Sequence, residues 1–150
     1  MAQQQVVISA LGSDRVGLVG QIAGFLTEHG ANIEDSNMAA FCGEFAIILL
    51  ASVPDERLAV LLAQREALEQ TTGLAVTIKR AATRPRDVAQ RSYLLEASCL
   101  DHPGLVHRLT RVAADAGINI DAMETRTQSA PWSGAPMFHF EARLAVPADQ

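Results

Sequence analysis

The sequence predicts an α+β fold of two tandem βαββαβ units, the second lacking its last helix and strand. Three observations lead there. Asp-Arg-Val-Gly-Leu-Val (14–19) returns as Asp-His-Pro-Gly-Leu-Val (101–106), and Gly-Ala-Asn-Ile (30–33) returns as Gly-Ile-Asn-Ile (117–120). Further on, EFAIILLASVP (44–54) is echoed by MFHFEARLAVP (137–147). The first two matches share an offset of 87 residues (101 minus 14) and the third an offset of 93 (137 minus 44), so the second copy has a longer hairpin loop. A repeat of this kind defines the structural unit before any element is assigned.

The first unit opens on the apolar extended run QVVISAL (5–11). Leu18, Val19, Ile22, Phe25 and Leu26 then recur at helical spacing. Asp14 stands where an N-cap carboxylate would meet free backbone N–H groups, and Gly30 is a natural left-handed terminator. Strands follow at 32–41 and 44–53, joined by the short Cys42-Gly43 connection. One helix of roughly 55–73, carrying Leu58, Leu61, Leu62 and Leu68, leads to a last strand at 74–81. This order implies an antiparallel sheet with two helices on one face.

A polar segment, ATRPRDVAQR (82–91), reads as a linker between domains at 1–81 and 92–150. The second unit begins with the strand SYLLEASCL (92–100) and continues with a helix carrying Leu105, Val106, Leu109, Val112 and Ala113. Asp101 repeats the N-cap position, Pro103 falls in the first turn where a missing N–H costs little, and Gly117 terminates. The extra residues belong to a loop within TQSAPWSGAP (127–136). The copy stops at VPADQ (146–150), where its second helix should begin, so it is expected to be C-terminally incomplete, with part of its sheet uncovered unless a partner covers it.

The two third strands differ. Phe138, Phe140, Leu144 and Val146 alternate with His139, Glu141 and Arg143, giving one core face and one wet face. In the first unit Phe45, Ile47, Leu49 and Val53 alternate with Ala46, Ile48 and Leu50, so both faces are apolar. Helices cover one of them, and the other is expected at an interface, in a homo-oligomer or with another protein.

The net charge is −5 and neither half has an excess of Lys and Arg, which argues against direct nucleic-acid binding. No apolar run is long enough for a membrane span, and MAQQQVVIS lacks the basic start of a secretory signal; a cytoplasmic location is expected. Cys42 and Cys99 lie in apolar runs without CxxC or a His at ligand spacing. They read as reduced structural thiols, with no metal or cofactor expected.

The repeated residues carry the chemistry. An Asp followed by Gly in the first helical turn leaves backbone N–H groups facing open space, and Gly lets an anion's oxygens approach a helix end that favours negative charge. Asn32 and Asn119 offer amides that both donate and accept, so Gly and Asn together would suit the carboxylate and amine of one small molecule. The same residues equally suit a structural role, the glycines permitting close packing and the asparagines easing a turn. No catalytic residue is expected: Glu34 and Asp35, adjacent along a strand, point to opposite faces, and no nucleophile has a base beside it. His102 and His107 do not share a helix face well. Trp132 reads either as a recognition anchor or as a cap over bare sheet.

Units that begin D-R-x-G-L-V and continue G-x-N-I resemble ACT domains, the small-molecule sensing modules of amino-acid metabolism. The tandem pair, with GANIEDSNMAAFCGEFAIILL (30–50) and METRTQSAPWSGAPMFHFEARLAVP (123–147), resembles the glycine cleavage system transcriptional repressor family. The resemblance implies ligand-binding residues at Asp14, Gly17, Leu18, Asn32 and Ile33, and at Asp101, Gly104, Leu105, Asn119 and Ile120. Val16 departs from the pattern that Pro103 keeps. The resemblance further implies a non-enzymatic regulator that senses a small amino acid, glycine, and represses the glycine cleavage operon through contact with a DNA-binding activator. Glycine has five heavy atoms, and a ceiling of ~1.5 kcal/mol each limits its Kd to no tighter than a few μM. The alternatives are a generic ACT-type module acting on a metabolic enzyme, and an acyl-phosphate hydrolase holding its substrate with Arg15 and Asn32. An RNA-binding sheet would need paired aromatics in a basic surface, which EFAIILLA lacks.

Overall fold

The computed structural model describes residues 2–82 and 89–149, and the chain divides near residue 83 into two compact units. Most of the segment read as a linker, 83–88, lies outside the described residues.

In the first unit β1 (Gln3–Ser13) leads through α1 (Leu18–Glu28) to β2 (Asn32–Phe41) and β3 (Glu44–Pro54). Two helices, α2 (Asp55–Ala63) and α3 (Arg65–Thr72), precede β4 (Ala75–Arg80). The antiparallel sheet has the order β2-β3-β1-β4. Alternate residues of its two central strands, Val6, Ile8 and Ala10 with Phe45, Ile47, Leu49, Ala51 and Val53, are buried against Leu18, Ile22 and Leu26 of α1 and Leu58, Leu61 and Leu68 of the other helices. Each large apolar side chain so buried contributes about 1.5–3 kcal/mol before entropy is counted.

Gly30, at φ 71°, closes α1 with a pair of bonds: Ala31 N–H donates to Leu26 O (2.8 Å) and Gly30 N–H to Thr27 O (3.0 Å). Gly117, at φ 70°, closes the equivalent helix of the second unit in the same way, through Ile118 to Ala113 (2.9 Å) and Gly117 to Ala114 (3.0 Å). The helix expected over 55–73 is broken at Gln64, whose φ of −94° and ψ of 10° leave the helical region. Beyond the break α3 is tied to β4, with Glu69 Oε1 accepting from Val76 N–H at 2.9 Å and from Arg65 Nη1 at 2.7 Å. Cys42 and Gly43, at φ 48° and 83°, form the two-residue turn between β2 and β3. That turn places Cys42 at the surface, not inside as a structural thiol.

The second unit comprises β5 (Gln90–Leu100), α4 (Leu105–Asp115), β6 (Asn119–Ser129) and β7 (Pro136–Pro147), with sheet order β5-β7-β6. The strands run further into the hairpin than the sequence suggests, leaving a loop at 130–135. Phe138, Phe140 and Ala142 are buried, while His139, Glu141 and Arg143 are exposed on the other face. Among the described residues nothing corresponds to α2, α3 and β4. The consequence is visible at matched positions: Val6 and Ile8 are 0% exposed, whereas Tyr93 and Leu95 are 50% and 37% exposed. On the first sheet, Leu11, Phe41 and Ile48 lie exposed on the face away from the helices, as expected from the apolar character of both faces of β3. No helix among the described residues is long and apolar enough to cross a membrane.

Candidate functional site

Each D-x-x-G-L-V segment connects a first strand to a helix. The structure corrects the capping role expected of Asp14 and Asp101. The N-cap residues are Gly17 (φ 93°, ψ −1°) and Gly104 (φ 88°, ψ 2°), and neither helix has a side-chain cap bond or an acidic residue in its first turn. A left-handed turn separates each Asp from its helix, so the carboxylate falls three residues short of the position that would cap. The Asp backbone does the holding: Asp14 N–H donates to Gly43 O at 2.8 Å, and Asp101 N–H donates to Pro136 O at 2.9 Å. Both glycine turns are thereby tied to the β-hairpin of their own unit.

A Cβ built at Gly17 or Gly104 meets no atom within 4 Å. Close packing is therefore not why glycine stands there. The positive φ requires it, and the space above it is open. The carbonyls of Gly17 and Gly104 accept the first helical bonds, from Gln21 N–H (2.9 Å) and Arg108 N–H (3.0 Å). The N–H groups that precede these bonds, those of Leu18, Val19 and Gly20 and of Leu105, Val106 and His107, lie at the helix end that favours an anion.

Leu18 is buried in the first core, and Leu105 packs against the second. Their backbone N–H groups belong to the turn, but their side chains serve the fold. Asn32 and Ile33 stand at the far end of α1 from Gly17, and Asn119 and Ile120 at the far end of α4 from Gly104. Each helix has 11 residues, which at 1.5 Å per residue spans about 16 Å. One small amino acid cannot bridge that distance, so within a unit the expected glycine–asparagine pair does not converge. Asn119 is also engaged locally, its Nδ2 donating to Asp121 Oδ1 at 2.6 Å.

Arg15 and Asn32, the residues of the hydrolase alternative, are likewise apart. Arg15 Nη2 donates to Thr71 O (2.9 Å) and to Gln21 Oε1 (2.6 Å). A cation at the carbonyl end of α3 is favourably placed, and it fixes the first glycine turn against that helix. His102 occupies the matching position in the second unit and contacts only the neighbouring Pro103 carbonyl among the described bonds. Sequence reasoning missed this anchor and a second repeated feature. Both β2 and β6 carry a bulge after the repeated Ile, between Ile33 and Asp35 and between Ile120 and Ala122. The extra residues, Glu34 and Asp121, accept hydrogen bonds from Gln5 and Asn119.

Two consecutive units of this strand–helix–strand–strand plan define a tandem ACT-domain protein, and the comparisons agree. The ACT domain model matches residues 4–79, and a second ACT domain model matches 93–148. The chain is 31% identical over 147 residues to the glycine cleavage system transcriptional repressor of Escherichia coli (strain K12), covering 98% of this chain and 77% of that protein. A UPF0237 protein of Methanosarcina mazei is 30% identical over 79 residues, or 53% of this chain and 86% of that one. The crystal structure of an unknown protein from Galdieria sulphuraria aligns at 35% identity with a TM-score of 0.83, covering 97% of this chain and 84% of that one. The chain belongs to the glycine cleavage system transcriptional repressor family and is a regulatory ACT protein.

Proposed function

We propose that this protein senses a small amino acid, glycine, and represses transcription of the glycine cleavage operon through contact with a DNA-binding activator, without catalysing a reaction. One observation carries the sensing role: in both units an uncapped helix start sits over a left-handed glycine with open space above it. That arrangement suits the carboxylate of an amino acid. The protein's acidity favours action through a protein, because repression by direct DNA contact calls for a basic face. The relative's name supplies the operon. The exposed Leu11, Phe41 and Ile48 face offers a contact for a homo-oligomer, and a cytoplasmic location follows from the same role.

Titration calorimetry with glycine, serine and alanine tests the ligand. Heat is expected with glycine at a Kd weaker than a few μM, reduced by Gly17→Val and Gly104→Val. Asn32→Ala should leave the heat unchanged, because Asn32 lies at the other end of α1. Absence of heat with all three amino acids would remove the sensing role and leave a constitutive interaction module.

A further inference from the structure

The two units share their backbone plan, and one difference between them is a projecting loop. Where the first unit joins its hairpin strands with Cys42 and Gly43, the second uses residues 130–135, Ala-Pro-Trp-Ser-Gly-Ala. The loop is built, not slack. Ala130 N–H donates to Ala135 O at 2.7 Å and Gly134 N–H to Ala130 O at 3.0 Å. Ala135 N–H donates to Ser133 Oγ at 3.3 Å, and Gly134 adopts φ 68°. On this frame Trp132 is 100% exposed, so it does not cap the bare sheet of its own unit.

A fully exposed Trp on a closed loop brings large apolar area at low entropic cost, the profile of an interface anchor. Its surroundings indicate the kind of partner. From Thr127 through Phe138 the sequence has no charged residue, and Leu100, paired with Met137 just below the loop, is 62% exposed. This surface suits an apolar protein pocket with an acceptor for the indole N–H, and it offers nothing to a phosphate. It also adjoins the second glycine turn, since the Asp101–Pro136 hydrogen bond joins that turn to the residue that follows the loop.

We propose that the 130–135 loop, through Trp132, is the surface that engages the protein partner of this regulator, and that its tie to the Gly104 turn links docking to the ligand. This rests on the regulatory reading above, with the DNA-binding activator of the glycine cleavage operon as the partner. Trp132 is the single Trp of the chain, so its fluorescence reports its own burial. Adding the purified activator to the full chain should shift the emission to the blue. Trp132→Ala should weaken binding by about thirtyfold, the hot-spot range, and Trp132→Phe by less. Affinity should change little between low and high salt, as a neutral contact requires. A far-UV CD spectrum of each variant matching the wild type shows that the fold is kept. Binding with unshifted emission and undiminished affinity in Trp132→Ala would overturn the loop's role while leaving the regulatory reading intact. A wild-type chain that does not bind the activator at all would overturn both. A blue shift produced by protein concentration alone would mean that a second copy covers Trp132, and would overturn the proposal in favour of self-association.

Discussion

Replacing Gly17 by Ala isolates the demand that the first turn makes on its sequence. The backbone there has φ 93°, and an added Cβ would meet nothing within 4 Å. Steric collision is therefore absent, and the whole cost is that of holding an L-residue in left-handed space, about 1–2 kcal/mol. For a domain of this size each kcal/mol lowers Tm by roughly 4–8 °C, so a fall of about 4–16 °C is expected in the first unit. Thermal unfolding by far-UV CD measures it, and hydrogen exchange of β1 and β3 amides assigns the loss to that unit. Gly17→Asn should lose less, since Asn tolerates this region better than Ala. A chain assembled by chemical ligation with D-alanine at position 17 should keep wild-type stability, because its mirror-image centre prefers positive φ. Gly12→Ala is the contrasting control, with Leu74 Cδ2 only 3.0 Å from the added carbon and backbone behind it. Wild-type stability in Gly17→Ala, or equal loss with D-alanine, would refute the conformational account.

The matched positions Ile8 and Leu95 should respond differently to truncation: Ile8→Ala, at 0% exposure, costs about 2–5 kcal/mol in urea unfolding, and Leu95→Ala, at 37% exposure, markedly less. Equal losses would mean that Leu95 is covered in solution. Arg15→Met removes the bonds to Thr71 O and Gln21 and should cost about 0.5–1.5 kcal/mol, with faster hydrogen exchange in the first turn of α1 as the specific sign. Cys42→Asn keeps the left-handed turn with a residue better suited to it and should stabilise the hairpin by about 0.5–1 kcal/mol, read as a rise in Tm. In the unmodified chain Cys42 should react with a thiol reagent faster than the half-buried Cys99.

What the sequence made legible was whatever is local or repeated. Gly30 and Gly117 could be read as terminators because a helix of L-residues ends in a left-handed step that glycine takes most easily. The Cys42-Gly43 turn was legible because two apolar runs leave only two residues to reverse the chain. The helix break at Gln64 was not, since Leu58, Leu61 and Leu68 keep a helical period across it and no period in the sequence marks the side-chain ties of Arg65 and Glu69 to the Val76 backbone. The bulges at Glu34 and Asp121 escaped for another reason: both copies carry the extra residue, so the offset of the repeat is unchanged. Within each unit the expected glycine–asparagine pairing parts over distance. Repetition marked Gly17 and Asn32 together, but a helix between two residues separates them however often the pattern recurs. Repetition also concealed an inequality. The two glycine turns share a backbone conformation and a tie to their own hairpin, yet Arg15 fastens the first to the end of α3, while among the described residues His102 in the second hydrogen-bonds to its neighbour Pro103 alone. A turn held from two sides loses less freedom when a ligand orders it, so the Gly17 turn should bind glycine more tightly than the Gly104 turn. Calorimetry on the two glycine variants taken separately reads that difference, and equal residual heats would show that the Arg15 anchor serves the fold alone.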